Sequence, residues 1–138
     1  MIFVDTGAWV AIADKNDQYA KEASQQYTSF ILKKERLVTS NLILVETYNL
    51  LSQTIGAKAT IRFGNILNST NLVRVEIITK TDWDRGWKIL EKYDDKEFSF
   101  TDCTSFALME RLKIRTAFSF DAHFVQYGFT KIPPTILR

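Results

Sequence analysis

Four carboxylates in this chain fall where carboxylates are disfavoured. Asp5 directly follows the short apolar run Ile2-Phe3-Val4, and Asp121 directly follows Thr116-Ala117-Phe118-Ser119-Phe120. Asp102 opens a helical segment behind Ser99-Phe100-Thr101, while Glu46 ends the apolar stretch Leu42-Ile43-Leu44-Val45. The neighbours of Glu46 three and four positions away are Leu42, Ile43, Asn49 and Leu50, so it shares a face with residues expected inside. Burying one carboxylate without a partner is unfavourable, and burying several together raises the pKa of each. A hard divalent cation resolves that conflict, since Mg²⁺ and Mn²⁺ prefer carboxylate oxygen and water.

Each acid also has an ordinary reading. Asp5 could cap the first helix, Asp102 could be a first-turn acid favoured by the helix dipole, and Asp121 could be turn chemistry before Ala122. Glu46 could belong to a buried ion pair with an Arg or Lys. The joint placement of the four is what argues for chemistry.

The elements that must position them alternate between short strands and helices. Ile2-Phe3-Val4 reads as a buried strand turning at Asp5-Thr6-Gly7 into a helix whose apolar side is Trp9, Val10, Ile12 and Ala13. Asp17 is expected to cap a second helix from Gln18 to about Lys34. Leu37-Val38-Thr39 is a strand, Ser40 or Asn41 caps a helix from about Leu42 to Ile55, and Gly56 stops it. A helix from Ala57 to Asn68 precedes a strand, Leu72–Ile78, with Arg74 and Glu76 alternating against Val73, Val75 and Ile77. Helices from Thr81 or Asp82 to Tyr93 and from Thr101 to Leu112 flank a charged loop, Asp94–Glu97. A strand over Thr116–Phe120 and an extended tail at Pro133-Pro134 complete the chain. This order predicts an α/β fold, a mainly parallel sheet flanked by helices in three layers, with its site at the carboxyl ends of the strands.

The rest of the composition narrows the function. The 138 residues suit a single domain, 1–138, and a net charge of +2 does not by itself announce nucleic-acid binding. Cys103 is the one cysteine and reads as a packed thiol; His123 is the one histidine, which excludes a multi-histidine zinc site and a Ser/His/Asp triad. His123 itself reads as a structural or turn residue rather than a general base. No basic leader precedes Met1–Val4 and no apolar run approaches a membrane span, so a cytoplasmic protein is expected. Lys33, Lys34 and Arg36, and Arg111, Lys113 and Arg115, read as solvated faces ahead of RNA tracks, though either cluster could neutralise phosphates. Trp9, Trp83 and Trp87 could stack a base, although Trp83 and Trp87, four apart, suit core or interface packing better.

Taken in order, these motifs resemble the PIN-domain family. Ile2-Phe3-Val4-Asp5-Thr6 resembles its first motif and Asn41-Leu42-Ile43-Leu44-Val45-Glu46 its second. Ser99-Phe100-Thr101-Asp102-Cys103 is similar to the third, and Phe118-Ser119-Phe120-Asp121-Ala122-His123-Phe124 to the fourth. The resemblance implies an Mg²⁺- or Mn²⁺-dependent endoribonuclease, most like VapC-type toxins of toxin–antitoxin pairs. It implies a small antitoxin partner and a homodimer. The implied catalytic set is Asp5, Glu46, Asp102 and Asp121, with Asp5, Asp102 and Asp121 on metal and Thr6 and Thr101 as supporting hydroxyls. Substrate-binding residues are not legible. A haloacid-dehalogenase-type phosphatase needs a second Asp two residues after the first, where Gly7 stands. A receiver domain needs a Lys after a late strand, where Asp121 stands. A non-catalytic RNA-binding or interaction domain on the same fold is the alternative.

Overall fold

The computed structural model describes residues 1–134. Its centre is β1 (Ile2–Val4), with all three residues buried. The chain then lays down α1 (Thr6–Ala13), α2 (Ala20–Leu32), β2 (Leu37–Ser40), α3 (Asn41–Thr54), α4 (Gly56–Ser69) and β3 (Val73–Glu76). The second half is α5 (Lys80–Lys92), α6 (Phe100–Leu112), β4 (Thr116–Phe118), α7 (His123–Tyr127) and β5 (Thr130–Ile132). The strands form one sheet in the order β3-β2-β1-β4-β5, and every pair is parallel. Parallel strands need crossovers, and the helices supply them while covering the sheet.

This strand order decides where a site can lie. From β1 the chain builds outward to β2 and β3, then returns to the other side of β1 for β4 and β5. The crossovers therefore diverge between β1 and β4 and leave a crevice beyond their carboxyl ends. Asp5 and Ser119 are the first residues past those two ends, and the Asp5 N–H donates to the Phe118 carbonyl across the gap at 3.0 Å.

Packing fixes the layers. Trp9 is fully buried; its indole Nε1 donates to Thr39 Oγ1, which donates to the Val4 carbonyl, tying α1 to β2 and β1. It is a core residue, not a base-stacking one. On the other side Phe106 meets Phe98, Phe124 and Tyr127 at ring distances of 4.4–5.3 Å. Gly86 lets α5 lie close against α6, since a Cβ there would stand 2.9 Å from Thr104 Cγ2. Asp82, fully buried, accepts from Arg111 Nε and Nη2 at 2.8 and 2.9 Å and also closes a capping box with Thr79. Arg111 thus joins α5 to α6 and leaves the solvated basic face expected of it. Cys103 is buried, and burial first, then the nearby Asp102 charge, pushes its thiol up to about 11, so it is a packed thiol.

Several boundaries differ from the sequence expectation. α2 begins at Ala20, because Asp17 spends its side chain on a turn, accepting from the Tyr19 N–H at 2.8 Å. β3 is confined to Val73–Glu76, and β4 ends at Phe118, because Ser119 turns away to hold Asp5 and Asp121. The expected extended tail at Pro133-Pro134 is preceded by two unforeseen elements, α7 and β5, and its continuation over 135–138 lies outside the described residues. Trp83 and Trp87 are half exposed, at 49% and 54%, both edge-on to Phe100, so neither is in the core.

Candidate active site

At the crevice, a cleft of about 470 Å³ gathers Asp5, Thr6, Glu46, Asp102, Asp121 and His123. Six residues scattered over almost the whole sequence meet there because the strand order brings the ends of β1 and β4 together with the start of α6.

Asp5 is the most buried of the acids, with 7% of its surface exposed. Its backbone sits at the end of β1, and its Oδ2 accepts a hydrogen bond from Ser119 Oγ at 2.9 Å. Ser119 in turn accepts from the Asp121 N–H at 3.1 Å, so one hydroxyl fixes two acids. Burial, followed by the charge of Asp102, raises the Asp5 carboxyl to about 7. Asp5 does not cap α1 with its side chain, so that ordinary reading is set aside.

Asp102 occupies the third position of α6. It forms a capping box with Ser99: the Ser99 hydroxyl accepts from the Asp102 N–H at 2.9 Å, and Asp102 Oδ2 accepts from the Ser99 N–H at 3.0 Å. The first-turn reading is therefore true and incomplete, because the same carboxylate faces the cleft. Burial pushes its pKa up, against the Ser99 N–H and the His123 ring. Asp121 turns its Oδ1 back to accept from the His123 N–H at 2.7 Å, which orients the imidazole. His123 Nδ1 then lies 2.7 Å from Asp102 Oδ2 and 3.1 Å from Asp121 Oδ1. Both neighbours are acceptors, so Nδ1 carries the hydrogen. His123 takes the structural role left open for it, holding Asp102 and Asp121 together, while Ser119 was not foreseen at all. Asp102, Asp121 and His123 offer ligand atoms within 4.8 Å of one another; among the described residues they are the tight donor cluster, and Asp5 is not part of it but lines the same cleft.

Glu46 reaches the cleft from α3 but is exposed, not buried. α3 places Ile43, Leu44, Thr47 and Leu51 inside, which leaves Glu46 on the rim beside half-exposed Leu50. Thr6 lines the cleft, and its Oγ1 is buried with no hydrogen-bond partner among the described residues. Thr101 does not line the cleft; its carbonyl accepts from Thr104 and Ser105 inside α6. Three features fit a hard cation: clustered oxygen donors, two carboxyls held up by burial, and a buried hydroxyl left without a partner.

The PIN domain model matches residues 2–130. The 23S rRNA-specific endonuclease VapC20 of Mycobacterium tuberculosis, in strains CDC 1551 and H37Rv alike, is 37% identical over 134 residues, covering 97% of this chain and 99% of the relative. The crystal structure of VapC20, described as a Sarcin-Ricin loop cleaving toxin, superposes with a TM-score of 0.86 at 35% identity, covering 94% of this chain and 97% of that one. The FitAcB structure from Neisseria gonorrhoeae, 17% identical over 99% of this chain and all of that one, shares the fold with a TM-score of 0.73. Identity at that level along nearly the full length of a VapC protein, on the same parallel sheet, means that this chain belongs to the PIN-domain family as a VapC-type endoribonuclease.

Proposed function

We propose that the whole chain, 1–138, is one PIN-like nuclease domain that hydrolyses RNA phosphodiester bonds with Mg²⁺ or Mn²⁺. The observation that carries this reading is the convergence of Asp5, Asp102 and Asp121 on one cleft, which Thr6 also lines with a buried hydroxyl that has no partner among the described residues. Asp5, Asp102 and Asp121 are the metal-holding side chains, with His123 bridging the latter two. A divalent cation held there would supply positive charge to the scissile phosphate and would lower the pKa of a bound water. Ser119 holds Asp5 and Asp121 in register, Thr6 offers its hydroxyl to the cleft, and Glu46 on the rim orients the attacking water. Thr101 supports the site from within α6.

The substrate is RNA with splayed, single-stranded phosphates, since bases in loops and not in duplex stems can enter a cleft of this size. The relative cuts 23S rRNA; a structured ribosomal loop is the first substrate to test here. A small antitoxin whose Arg pairs with the carboxylates is the expected inhibitor. A cytoplasmic homodimer completes the reading. No helix of the described residues is long and apolar enough to cross a membrane. The half-exposed Trp83 and Trp87 over Phe100 form an apolar patch that a dimer could cover.

The test is cleavage of a panel of structured RNAs in Mn²⁺ and in EDTA, with the ends mapped. Parent protein cuts at defined loop positions in Mn²⁺ only, and Asp5→Asn cuts at least a hundredfold more slowly, the order of effect expected for losing electrostatic stabilisation of a transition state. Equal cutting in excess EDTA would falsify the metal mechanism.

A further inference from the structure

One wall of the cleft is aromatic and has no part in hydrolysis. Tyr19 and Phe120 line it, stacked face to face with ring centroids 4.4 Å apart and planes 4° from parallel. The other closely stacked pair among the described residues, Phe106 with Tyr127, has its Phe106 ring fully buried in the core. The Tyr19–Phe120 pair instead lies at the surface, with Tyr19 37% exposed. Phe120 covers one face of the Tyr19 ring, so a base can stack only on the other. Building on the RNA-cleaving reading above, we infer that the Tyr19–Phe120 pair is a stacking platform for an unpaired RNA base beside the scissile phosphate.

Position argues for this first. Phe120 stands between Ser119, which holds Asp5, and Asp121 itself, so the platform is one residue from the acids. A nucleotide whose phosphate sits at the acids has its base within reach of that wall. Rigidity argues for it second. Tyr19 is pinned by its N–H to Asp17 Oδ1 at 2.8 Å and by its carbonyl to the Ala23 N–H at 2.9 Å, so little ordering remains to be done on binding. Electrostatics argues for it third. A cleft of carboxylates repels the RNA backbone until a cation is bound, and stacking adds affinity independent of charge, tolerating any base because every base has a π-face. The tryptophans do not compete for the role: Trp9 is buried, and Trp83 and Trp87 do not line the cleft.

The experiment uses a short single-stranded RNA carrying 2-aminopurine, with Ca²⁺ in place of Mn²⁺ so that binding is read without cleavage. Anisotropy gives the affinity and 2-aminopurine emission reports stacking, for parent, Tyr19→Phe and Tyr19→Leu. Parent and Tyr19→Phe should quench the emission and bind alike. Tyr19→Leu should lose the quenching and bind about tenfold more weakly, an ordinary loss for a base-stacking aromatic. In Mn²⁺ the same loss should fall on KM, with kcat within about threefold of parent. Circular dichroism of Tyr19→Leu and the behaviour of Tyr19→Phe separate stacking from damage to the loop. If Tyr19→Leu quenches and binds as parent does, or if Tyr19→Phe fails as Tyr19→Leu does, the platform is wrong, whatever the nuclease does. If stacking depends on Tyr19 but no RNA is cut in Mn²⁺, the platform stands and the hydrolytic reading falls.

Discussion

Replacing Asp5 with Asn should stabilise the metal-free protein at neutral and alkaline pH. In the fold the Asp5 carboxyl titrates near 7 instead of 3.8, because it is buried and faces Asp102. Its folded pKa lies above its unfolded one, so the native state holds a proton that the unfolded chain releases. Stability therefore falls as pH rises from about 4 to about 7, and levels off above. At 1.36 kcal/mol per pKa unit, ionising Asp5 in the fold costs about 4 kcal/mol at pH 8, of which roughly 2–3 kcal/mol accrues between pH 5 and pH 8. Asn keeps the shape, and its carbonyl oxygen can still accept from Ser119 Oγ. Urea unfolding in EDTA at pH 5 and pH 8 reads the effect. The variant should gain on the parent by about 2 kcal/mol between the two pH values and be the more stable protein at pH 8. Added Mn²⁺ should then stabilise the parent far more than the variant. Asp102→Asn should gain less, because that carboxylate also closes the α6 capping box. A variant less stable than parent in EDTA at pH 8, with a gap that does not move with pH, would refute the reasoning and make Asp5 a structural residue.

Three other substitutions probe the scaffold and the cleft. His123→Gln removes the ring between Asp102 and Asp121 and should cut the single-turnover rate in Mn²⁺ by about tenfold, the range for residues that orient metal-holding carboxylates, with little change in circular dichroism. Arg111→Ala leaves fully buried Asp82 without its cation and should destabilise the protein by about 3 kcal/mol in urea unfolding. Gly86→Ala drives a methyl group into Thr104, 2.9 Å from its Cγ2 and 3.1 Å from its backbone, and should cost about 1–3 kcal/mol by the same assay.

The legible parts of this molecule are those with local causes. Ile2-Phe3-Val4 is buried on both faces, so an unbroken apolar run ending in an acid marks β1 and Asp5 together. Asp102 is expected in the first turn of a helix from Thr101, and α6 starts one residue earlier at Phe100, closed by a capping box whose Ser99 partner was not foreseen. Glu46 is expected too deep because α3 is apolar nearly all round: Val45 and Leu50 are exposed, so periodicity does not say which side faces in. β5 carries Lys131 at its buried position, its Nζ donating to the Pro133 carbonyl, and so shows no apolar alternation to detect. His123 and Ser119 enter the site through contacts across 21 and 114 residues, to Asp102 and Asp5. No local pattern encodes such contacts; only the strand order β2-β1-β4 brings them about. The Tyr19–Phe120 wall is hidden from the sequence for the same reason, while the tryptophans stand out by residue type alone.

Carboxylates from the ends of β1 and β4 and the start of α6 are proposed to form one divalent-metal centre. Isothermal titration with Mn²⁺ at neutral pH tests it directly, using parent, Asp5→Asn, Asp102→Asn and Asp121→Asn, with Asp84→Asn as a control on a surface acid paired with Lys80. Saturable binding is expected for parent and Asp84→Asn, and binding at least about tenfold weaker in each of the other three. Equal Mn²⁺ binding by parent and Asp102→Asn would contradict a shared centre.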